Sequence, residues 1–207
     1  MQPQFWRERW AEGKIAFHEG APNLYLADHA ARLTGMSVLV PLCGKTEDLA
    51  FLAAHNHTVV GIELVEDAVA AFFSEHGLTP HIERRGPLTV YSSGAVTVIA
   101  GDIFAVTRED VGPIDALYDR AALVALPAEL RVRYIAHLRT LLTAATPGLL
   151  VTFDYPQDQM EGPPFSVPDV EVRSHYPRAT QLAERPAVGG RLGALGTAFE
   201  RCYLVEL

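Results

Sequence analysis

The chain has 207 residues and a formal net charge of −8, with 49% hydrophobic and 20% charged residues. This fits one folded domain with a sizeable core, and the acidic balance argues against nucleic-acid partners and anionic membranes. Two cysteines make no disulfide framework, no apolar run is long enough to span a bilayer, and residues 1–10 lack the apolar core of a signal peptide. We therefore expect a cytoplasmic protein with no nucleic-acid partner and no membrane association.

Two tryptophans stand near the N-terminus. Trp6 and Trp10 are four residues apart, which puts both indoles on one face of a helix. Amphipathic aromatic side chains are well suited to cover a ligand as a lid. Simple packing of a terminal helix on the rest of the domain is the alternative.

Residues 37–63 predict a strand, a tight turn, a helix and a second strand. An apolar run over residues 38–40 breaks into a short loop around Gly44, and the second apolar run ends on Glu63. In an open parallel sheet, ligands bind outside the carboxyl ends of the strands. A carboxylate there can accept hydrogen bonds from both hydroxyls of a ribose. The segment therefore predicts a site for a cofactor that contains adenosine.

The composition of the loop favours a cofactor without phosphates. A nicotinamide dinucleotide needs G-x-G-x-x-G, and a P-loop needs a glycine where this chain has Leu39, whereas the loop offers Gly44 alone after Pro41. S-adenosylmethionine suits such a loop, and an ordinary strand-to-helix turn is the alternative. Cys43 has no base beside it in sequence, which favours loop packing over covalent catalysis.

Strands and helices alternate after Glu63, which implies right-handed crossovers and a mostly parallel sheet. Helices are predicted over residues 66–76 and from Pro127 onward, and strands over 90–92, 96–100, 114–118 and 149–153. Glu63, Asp102 and the pair Asp119-Arg120 then fall at the same edge of the sheet, which is the strongest argument for a site. For Asp102, capping of the following segment is the alternative.

In the C-terminal part of the chain, strands and helices no longer alternate regularly. Residues 157–168 and 189–196 predict loops, Ser166-x-x-Asp169 predicts a capping box that starts a short helix, and residues 180–187 and 199–205 predict a closing antiparallel pair. His55-x-His57 has metal-compatible spacing, but no further ligands cluster with it, so we predict no metal.

Six motifs, taken in order, resemble the thiopurine S-methyltransferase family over most of the chain. They are Phe5-Trp6-x-x-Arg9-Trp10-x-x-Gly13 with Phe17-His18, Val40-Pro41-Leu42-Cys43-Gly44-Lys45, Val60-Gly61-Ile62-Glu63-Leu64, Gly101-Asp102-Ile103-Phe104, Tyr118-Asp119-Arg120-Ala121-Ala122-Leu123-Val124-Ala125-Leu126-Pro127 and Gly162-Pro163-Pro164-Phe165-Ser166-Val167. The resemblance implies an α/β, Rossmann-like class I methyltransferase with a mostly parallel seven-stranded sheet, helices on both faces and an antiparallel C-terminal strand. It also implies a single domain over residues 1–207, with an N-terminal lid (1–30), a cofactor-binding core (37–155) and an acceptor loop with closing strands (156–207).

The resemblance assigns roles to individual residues. For S-adenosylmethionine, it implies a cover from Trp10, backbone contacts from the Leu42–Gly44 loop, a ribose contact from Glu63, adenine contacts from Asp102 and Ile103, and Arg120 near the reacting end. For the acceptor pocket, it implies Phe17, Pro164 and Phe165. The flat indole of Trp10 can also lie near a sulfonium cation.

The implied enzyme is a thiopurine-type S-methyltransferase that converts S-adenosylmethionine to S-adenosylhomocysteine, and we expect it to be a monomer. Methyl transfer from a sulfonium to a thiolate needs little acid–base chemistry, so we predict no dedicated general base. Asp119 and Arg120 are the predicted catalytic residues, which would orient the acceptor or favour its anion. A local salt bridge or surface charge is the alternative for this pair.

Three places depart from the family pattern: Val65, residues 153–157 and the glycine-rich residues 185–197. They lie mostly on the predicted acceptor side, so the acceptor stays open. A thiopurine-like or other small thiol, a selenium or tellurium species, and a thiol-bearing natural product are the alternatives. A nicotinamide oxidoreductase, disfavoured by the missing glycines, and a non-catalytic S-adenosylmethionine-binding module, disfavoured by the acceptor motifs, are the rival classes.

Overall fold

A computed structural model describes residues 3–14 and 20–207, so the prediction for Phe17 lies outside the described residues. The helices in these ranges are α1 (Pro3–Ala11), α2 (Leu24–His29), α3 (Asp48–Ala54), α4 (Glu66–Glu75), α5 (Arg108–Val111), α6 (Ala128–Leu141), α7 (Asp169–His175) and α8 (Gly190–Leu195). The strands are β1 (Ser37–Pro41), β2 (Thr58–Glu63), β3 (His81–Arg85), β4 (Leu88–Ser93), β5 (Val96–Ala100), β6 (Ala116–Arg120), β7 (Pro147–Asp154), β8 (Thr180–Pro186) and β9 (Phe199–Glu206). None of the helices described is both long and apolar enough to cross a membrane.

The strands form one sheet in the order β3-β4-β5-β2-β1-β6-β7-β9-β8. The five central strands from β5 to β7 run parallel, and the strands outside them pair antiparallel. This confirms the α/β class with a mostly parallel core and the closing antiparallel pair. The sheet described has nine strands, whereas the family resemblance implies seven and the residue patterns predict eight of the nine. The strand that the sequence did not indicate is β3, because all five of its side chains are exposed and it carries no apolar alternation.

Helices cover both faces of the sheet, as predicted. Successive side chains of a strand point to opposite faces, and in β1 Val38 and Val40 join one core while Leu39 joins the other. The first core is completed by buried apolar residues of α2, α3 and α4, and the second by those of α6 and α7. Because both faces are buried, the central strands read in the sequence as continuous apolar runs.

Three local predictions are wrong. Strand β6 covers residues 116–120 rather than 114–118, because Asp115 turns aside to accept hydrogen bonds from the N–H groups of Met36 (2.8 Å) and Ser37 (3.0 Å). The predicted capping box is absent: α7 has Pro168 at its N-cap, and the Ser166 hydroxyl instead accepts from the N–H of Tyr155 at 3.0 Å. Finally, the predicted loop over residues 189–196 contains the helix α8.

Candidate active site

A cavity of about 560 Å³ opens at the carboxyl ends of the parallel strands. Its floor is formed by residues at the ends of β1, β2, β5, β6 and β7, and its walls by α1, the start of α6 and the segment around α8. A parallel α/β sheet is expected to bind its ligand at this edge. The cavity brings together most of the predicted site residues, namely Trp10, Leu42, Gly44, Glu63, Asp102, Ile103, Arg120 and Pro164.

Glu63, at the end of β2, holds the turn that follows β1. One of its carboxylate oxygens accepts from the Gly44 N–H at 2.7 Å and the other from the Val65 N–H at 2.8 Å. The side chain is only 6% exposed, and this burial raises the pKa of Glu63, while the backbone donors act in the opposite direction. A carboxylate has about four acceptor sites, so each oxygen can accept a further hydrogen bond. Glu63 can therefore receive a pair of vicinal hydroxyls.

Gly44 lets the Trp10 indole of α1 approach the same turn. Its φ of +55° lies in the left-handed region, which glycine adopts without a steric penalty. A Cβ atom at this position would lie 3.2 Å from Cζ2 of the Trp10 indole. The glycine therefore allows both the conformation of the turn and the contact with α1.

The turn after β5 carries the two residues that the resemblance predicts to contact adenine. Asp102 accepts from the Phe104 N–H at 3.0 Å, so it does cap the short 3-10 turn Ile103–Ala105, which was the alternative considered for it. Ile103 is buried in the cavity wall. Next to it, the Arg133 guanidinium lies 3.9 Å from the centre of the Phe104 ring, and both side chains line the cavity.

Asp119 and Arg120 do not share one environment. Arg120 lines the cavity, whereas Asp119 is not in the wall, because neighbouring residues of a strand point to opposite faces. The Asp119 carboxylate is fully buried and accepts from the Tyr134 hydroxyl at 2.7 Å and the Leu123 N–H at 3.1 Å. Burial raises the pKa of Asp119 to about 6. Asp119 thus anchors the 3-10 turn Leu123–Ala125, and the prediction that it touches the acceptor is not supported by this geometry.

The predicted acceptor loop follows β7. Pro164 lines the cavity, and the Gly162–Pro163 and Pro163–Pro164 peptide bonds are cis. Phe165 is not in the wall: its N–H donates to the Val124 carbonyl at 2.6 Å, and its ring packs against Gly162. The Tyr155 hydroxyl donates to the Pro164 carbonyl at 2.6 Å. Phe165 therefore holds the loop in place, and Pro164 presents the loop to the cavity.

Several charged residues of the cavity were not predicted from the sequence. Of the described residues, the basic ones in the wall are Arg9, Lys14, Lys45, Arg120, Arg133 and Arg191, and the acidic ones are Asp48, Glu63, Asp102 and Glu200. Asp48 lies next to the motif around Gly44, and its position at the start of a helix was a usable signal. Arg191 had no such signal in the sequence, because the glycine-rich segment around it predicts a loop. None of the groups of acidic, histidine and cysteine side chains in the described ranges is arranged to hold a metal ion.

Comparison with known proteins agrees with the motifs and the fold. Residues 1–188 match the family model described as thiopurine S-methyltransferase. The thiopurine S-methyltransferase of Pseudomonas fluorescens is 53% identical over 175 residues, covering 83% of this chain and 80% of the relative. That of Pseudomonas paraeruginosa is 49% identical over 187 residues, covering 89% of this chain and 86% of the relative.

Solved structures share the fold at low sequence identity. A SAM-dependent methyltransferase from Anabaena variabilis aligns with a TM-score of 0.67 at 12% identity, covering 99% of this chain and 95% of that one. The 1,6-didemethyltoxoflavin-N1-methyltransferase of Burkholderia thailandensis, solved with its substrate and S-adenosylhomocysteine bound, aligns with a TM-score of 0.66 at 16% identity. The second alignment covers 99% of this chain and 86% of that one.

These similarities confirm the predicted class I methyltransferase fold, the S-adenosylmethionine-dependent enzyme class and the family resemblance. The cavity carries the motifs of that family on the strand ends where the fold binds its ligand. This chain belongs to the thiopurine S-methyltransferase family.

Proposed function

We propose that this protein transfers a methyl group from S-adenosylmethionine to the thiolate of a small acceptor, with S-adenosylhomocysteine as the second product. The observation that carries the proposal is the single cavity that joins Glu63 and Gly44 to the acceptor loop at Pro164. A protein that only bound the cofactor would have no need of an acceptor pocket beside it. This argues against the alternative of a non-catalytic binding module.

The residues of the cavity fit the cofactor. In our proposal Glu63 accepts from the ribose hydroxyls, because each of its oxygens has acceptor capacity left. Asp102 and Ile103 flank the adenine, and the backbone at Leu42 and Gly44 contacts the amino-acid part. Trp10, packed beside Gly44, covers the site from α1.

When bound, S-adenosylmethionine supplies a methyl group already activated by its sulfonium charge. The residues of the chain then have to align the acceptor and exclude water, and alignment alone can lower a barrier by about 7–11 kcal/mol. Arg120, in the cavity wall, favours the anionic form of a thiol placed beside it. Asp119 acts through the turn Leu123–Ala125 as a positioning residue.

The acceptor side suits a small apolar thiol. The wall there combines the faces of Phe153, Pro163, Pro164, Val188 and Leu192, which would contact a ring, with the cations Arg120 and Arg191. The Pseudomonas relatives are named thiopurine S-methyltransferases, so a thiopurine-like thiol is the acceptor class that we propose. A selenium or tellurium species and a thiol-bearing natural product are the alternatives that an acceptor screen would separate.

The test combines titration calorimetry with S-adenosylmethionine and a radiolabelled-methyl assay over thiols and chalcogen oxyanions. The wild-type protein should bind the cofactor and label at least one thiol. Glu63→Gln should weaken cofactor binding, because an amide nitrogen cannot accept from a hydroxyl, whereas Glu109→Gln, an exposed carboxylate on α5, should change nothing. Binding without labelling of any acceptor would favour the binding-module alternative, and absence of binding would refute the proposal.

We further propose that the protein is a cytoplasmic monomer. Cys43 and Cys202 are both buried free thiols, the state that a reducing compartment maintains. The two edge strands of the sheet, β3 and β8, carry charged side chains that disfavour strand pairing between copies. The functional division into a lid over residues 1–30, a cofactor-binding core over 37–155 and an acceptor part over 156–207 belongs to the same proposal.

A further inference from the structure

Asp48, the first residue of α3, is a buried carboxylate in the wall of the cavity. It is 1% exposed and lies beside the turn that carries Gly44 and Thr46. Its two oxygens accept from neutral donors, the Asn23 N–H at 2.7 Å and the Tyr118 hydroxyl at 3.0 Å. The ion pairs found across residues 3–14 and 20–207 do not include Asp48.

A buried carboxylate without a cationic partner is costly, because the charge has lost its hydration and neutral hydrogen bonds replace only part of it. Such a group is expected to be matched by a cation that arrives with a ligand. The two neutral donors leave each oxygen with further acceptor capacity, and they fix the carboxylate from two different elements, the N-cap of α2 and the middle of β6. Asp48 is therefore a preorganised acceptor for a cationic group in the cavity.

The position of Asp48 identifies which cation this is. Glu63 occupies the side of the cavity toward β2, and the turn Ile103–Ala105 occupies the side toward β5. Asp48 and Tyr118 lie on the opposite side, toward β1 and β6. If Glu63 holds the ribose, the amino-acid part of the cofactor extends toward Asp48.

We propose that Asp48 binds the α-ammonium group of the methionine part of S-adenosylmethionine and of the homocysteine part of S-adenosylhomocysteine. This inference rests on the proposed function, because it takes its direction from the ribose contact of Glu63. Asp48 acts here as a binding residue that fixes the amino-acid end of the cofactor, and thereby the position of its sulfur above the acceptor.

The experiment compares three ligands by titration calorimetry on the full-length protein and needs no turnover. S-Adenosylhomocysteine carries the ammonium group, its analogue with hydrogen in place of the α-amino group lacks it, and 5′-methylthioadenosine lacks the whole amino-acid part. The wild-type protein should bind S-adenosylhomocysteine at least tenfold more tightly than the deaminated analogue. Asp48→Asn should bind those two ligands equally, and its affinity for 5′-methylthioadenosine should stay within twofold of wild type.

Tyr118→Phe is the matched control, because it removes one hydrogen bond to Asp48 but keeps the charge. It should retain the preference of the wild type for the ammonium-bearing ligand. A parallel loss of affinity for S-adenosylhomocysteine and 5′-methylthioadenosine in Asp48→Asn would reveal a purely structural role and overturn the inference.

The wild-type comparison covers the case in which Asp48→Asn does not fold. Equal affinity of the wild-type protein for S-adenosylhomocysteine and its deaminated analogue would overturn the inference while leaving the proposed function intact. Failure of the wild-type protein to bind any of the three ligands would refute the proposed function itself, and the inference with it.

Discussion

Two residues near the strand ends, Gly44 and Glu63, shape the cavity. Gly44 accepts a left-handed backbone and leaves room for the Trp10 indole, and Glu63 ties the Gly44 N–H to the end of β2. A buried carboxylate at this position is expensive for the fold, as the raised pKa of Glu63 indicates. Glu63 therefore lowers the stability of the fold, whereas Gly44 adopts its conformation without a steric penalty.

The variant Gly44→Ala should distinguish the effect of the left-handed backbone on the free energy of unfolding from the effect of the Trp10 contact on cofactor binding. In Gly44→Ala the left-handed φ costs about 1–2 kcal/mol, and the new Cβ also displaces the indole of Trp10. Gly77→Ala has a similar φ of +63° but nothing within 4 Å of the new Cβ. Urea unfolding should show comparable destabilisation of both variants, while calorimetry should show weaker S-adenosylmethionine binding for Gly44→Ala alone. Unchanged binding by Gly44→Ala would refute the lid contact.

Asp119 should give the protein a pH-dependent stability. Burial raises the pKa of Asp119 from 3.8 to about 6, so the folded state keeps its proton at pH values where the unfolded chain has lost it. The contribution of Asp119 is complete below about pH 4 and is lost as the pH rises to about 6. Relative to Asp119→Asn, the free energy of unfolding of the wild type should therefore fall by about 3 kcal/mol across this range.

Urea titrations at a series of pH values check this, with Tyr134→Phe as the control. Tyr134 donates to the Asp119 carboxylate and stabilises its charged form, so its removal should move the transition to higher pH. A difference between wild type and Asp119→Asn that is flat or rises with pH would contradict the expected sign.

Between elements, a partly buried ion pair joins α6 to α7. The guanidinium of Arg131 binds both carboxylate oxygens of Glu171, at 2.6 and 2.9 Å, and donates to the Leu126 carbonyl at 3.0 Å. Arg131 is 5% exposed, so its charge depends on these partners. Because Leu126 lines the cavity, this contact links the outer helix α7 to the site.

Truncation of Arg131 should be far more costly than truncation of a surface arginine. Arg131→Ala should destabilise the protein by about 3 kcal/mol, because it removes a buried guanidinium that donates to both Glu171 oxygens and to the Leu126 carbonyl. Arg173→Ala breaks the exposed i,i+4 pair with Asp169 and should cost less than about 1 kcal/mol. Denaturant unfolding of the two variants makes the comparison, and equal losses would show that burial does not govern the strength of these pairs.

At the scale of the whole molecule, both edges of the sheet are open to solvent. The edge strand β3 has five exposed residues, of which Glu83, Arg84 and Arg85 are charged, and the opposite edge strand β8 carries Glu184 and Arg185. Charged side chains on an edge disfavour pairing with another copy.

Sedimentation equilibrium should therefore give the mass of one chain, 22.6 kDa, over the accessible range of protein concentration. The same result is expected for a variant with Arg84→Ala, because the other charges of both edges remain. A species of twice the chain mass that forms at moderate concentration would contradict the proposed monomer. If substitutions that add charge to β3 or to β8 dissociated this dimer, they would identify the edge strand through which it forms.

The buried strands of the sheet were the elements that could be predicted from the sequence. The strands β1, β2, β5 and β7 were evident because both of their faces pack against helices and their sequences are continuous apolar runs. The exposed strand β3 and the glycine-rich helix α8 were not predicted. Backbone hydrogen bonds to β4 decide the conformation of β3, and flanking turns decide that of α8. Neither cause produces a recognisable pattern of apolar residues.

The sequence by itself determined the α/β class, the family and the strand ends that carry Gly44, Glu63 and Asp102, since these depend on local patterns and contiguous motifs. Only the tertiary structure decided that Arg120 faces the cavity while Asp119 turns away from it. It alone also brought Asp48, Arg133 and Arg191 into the same wall. The physical reason is that the facing of a side chain depends on the register of its strand, and a shared cavity depends on how distant segments pack across the sheet.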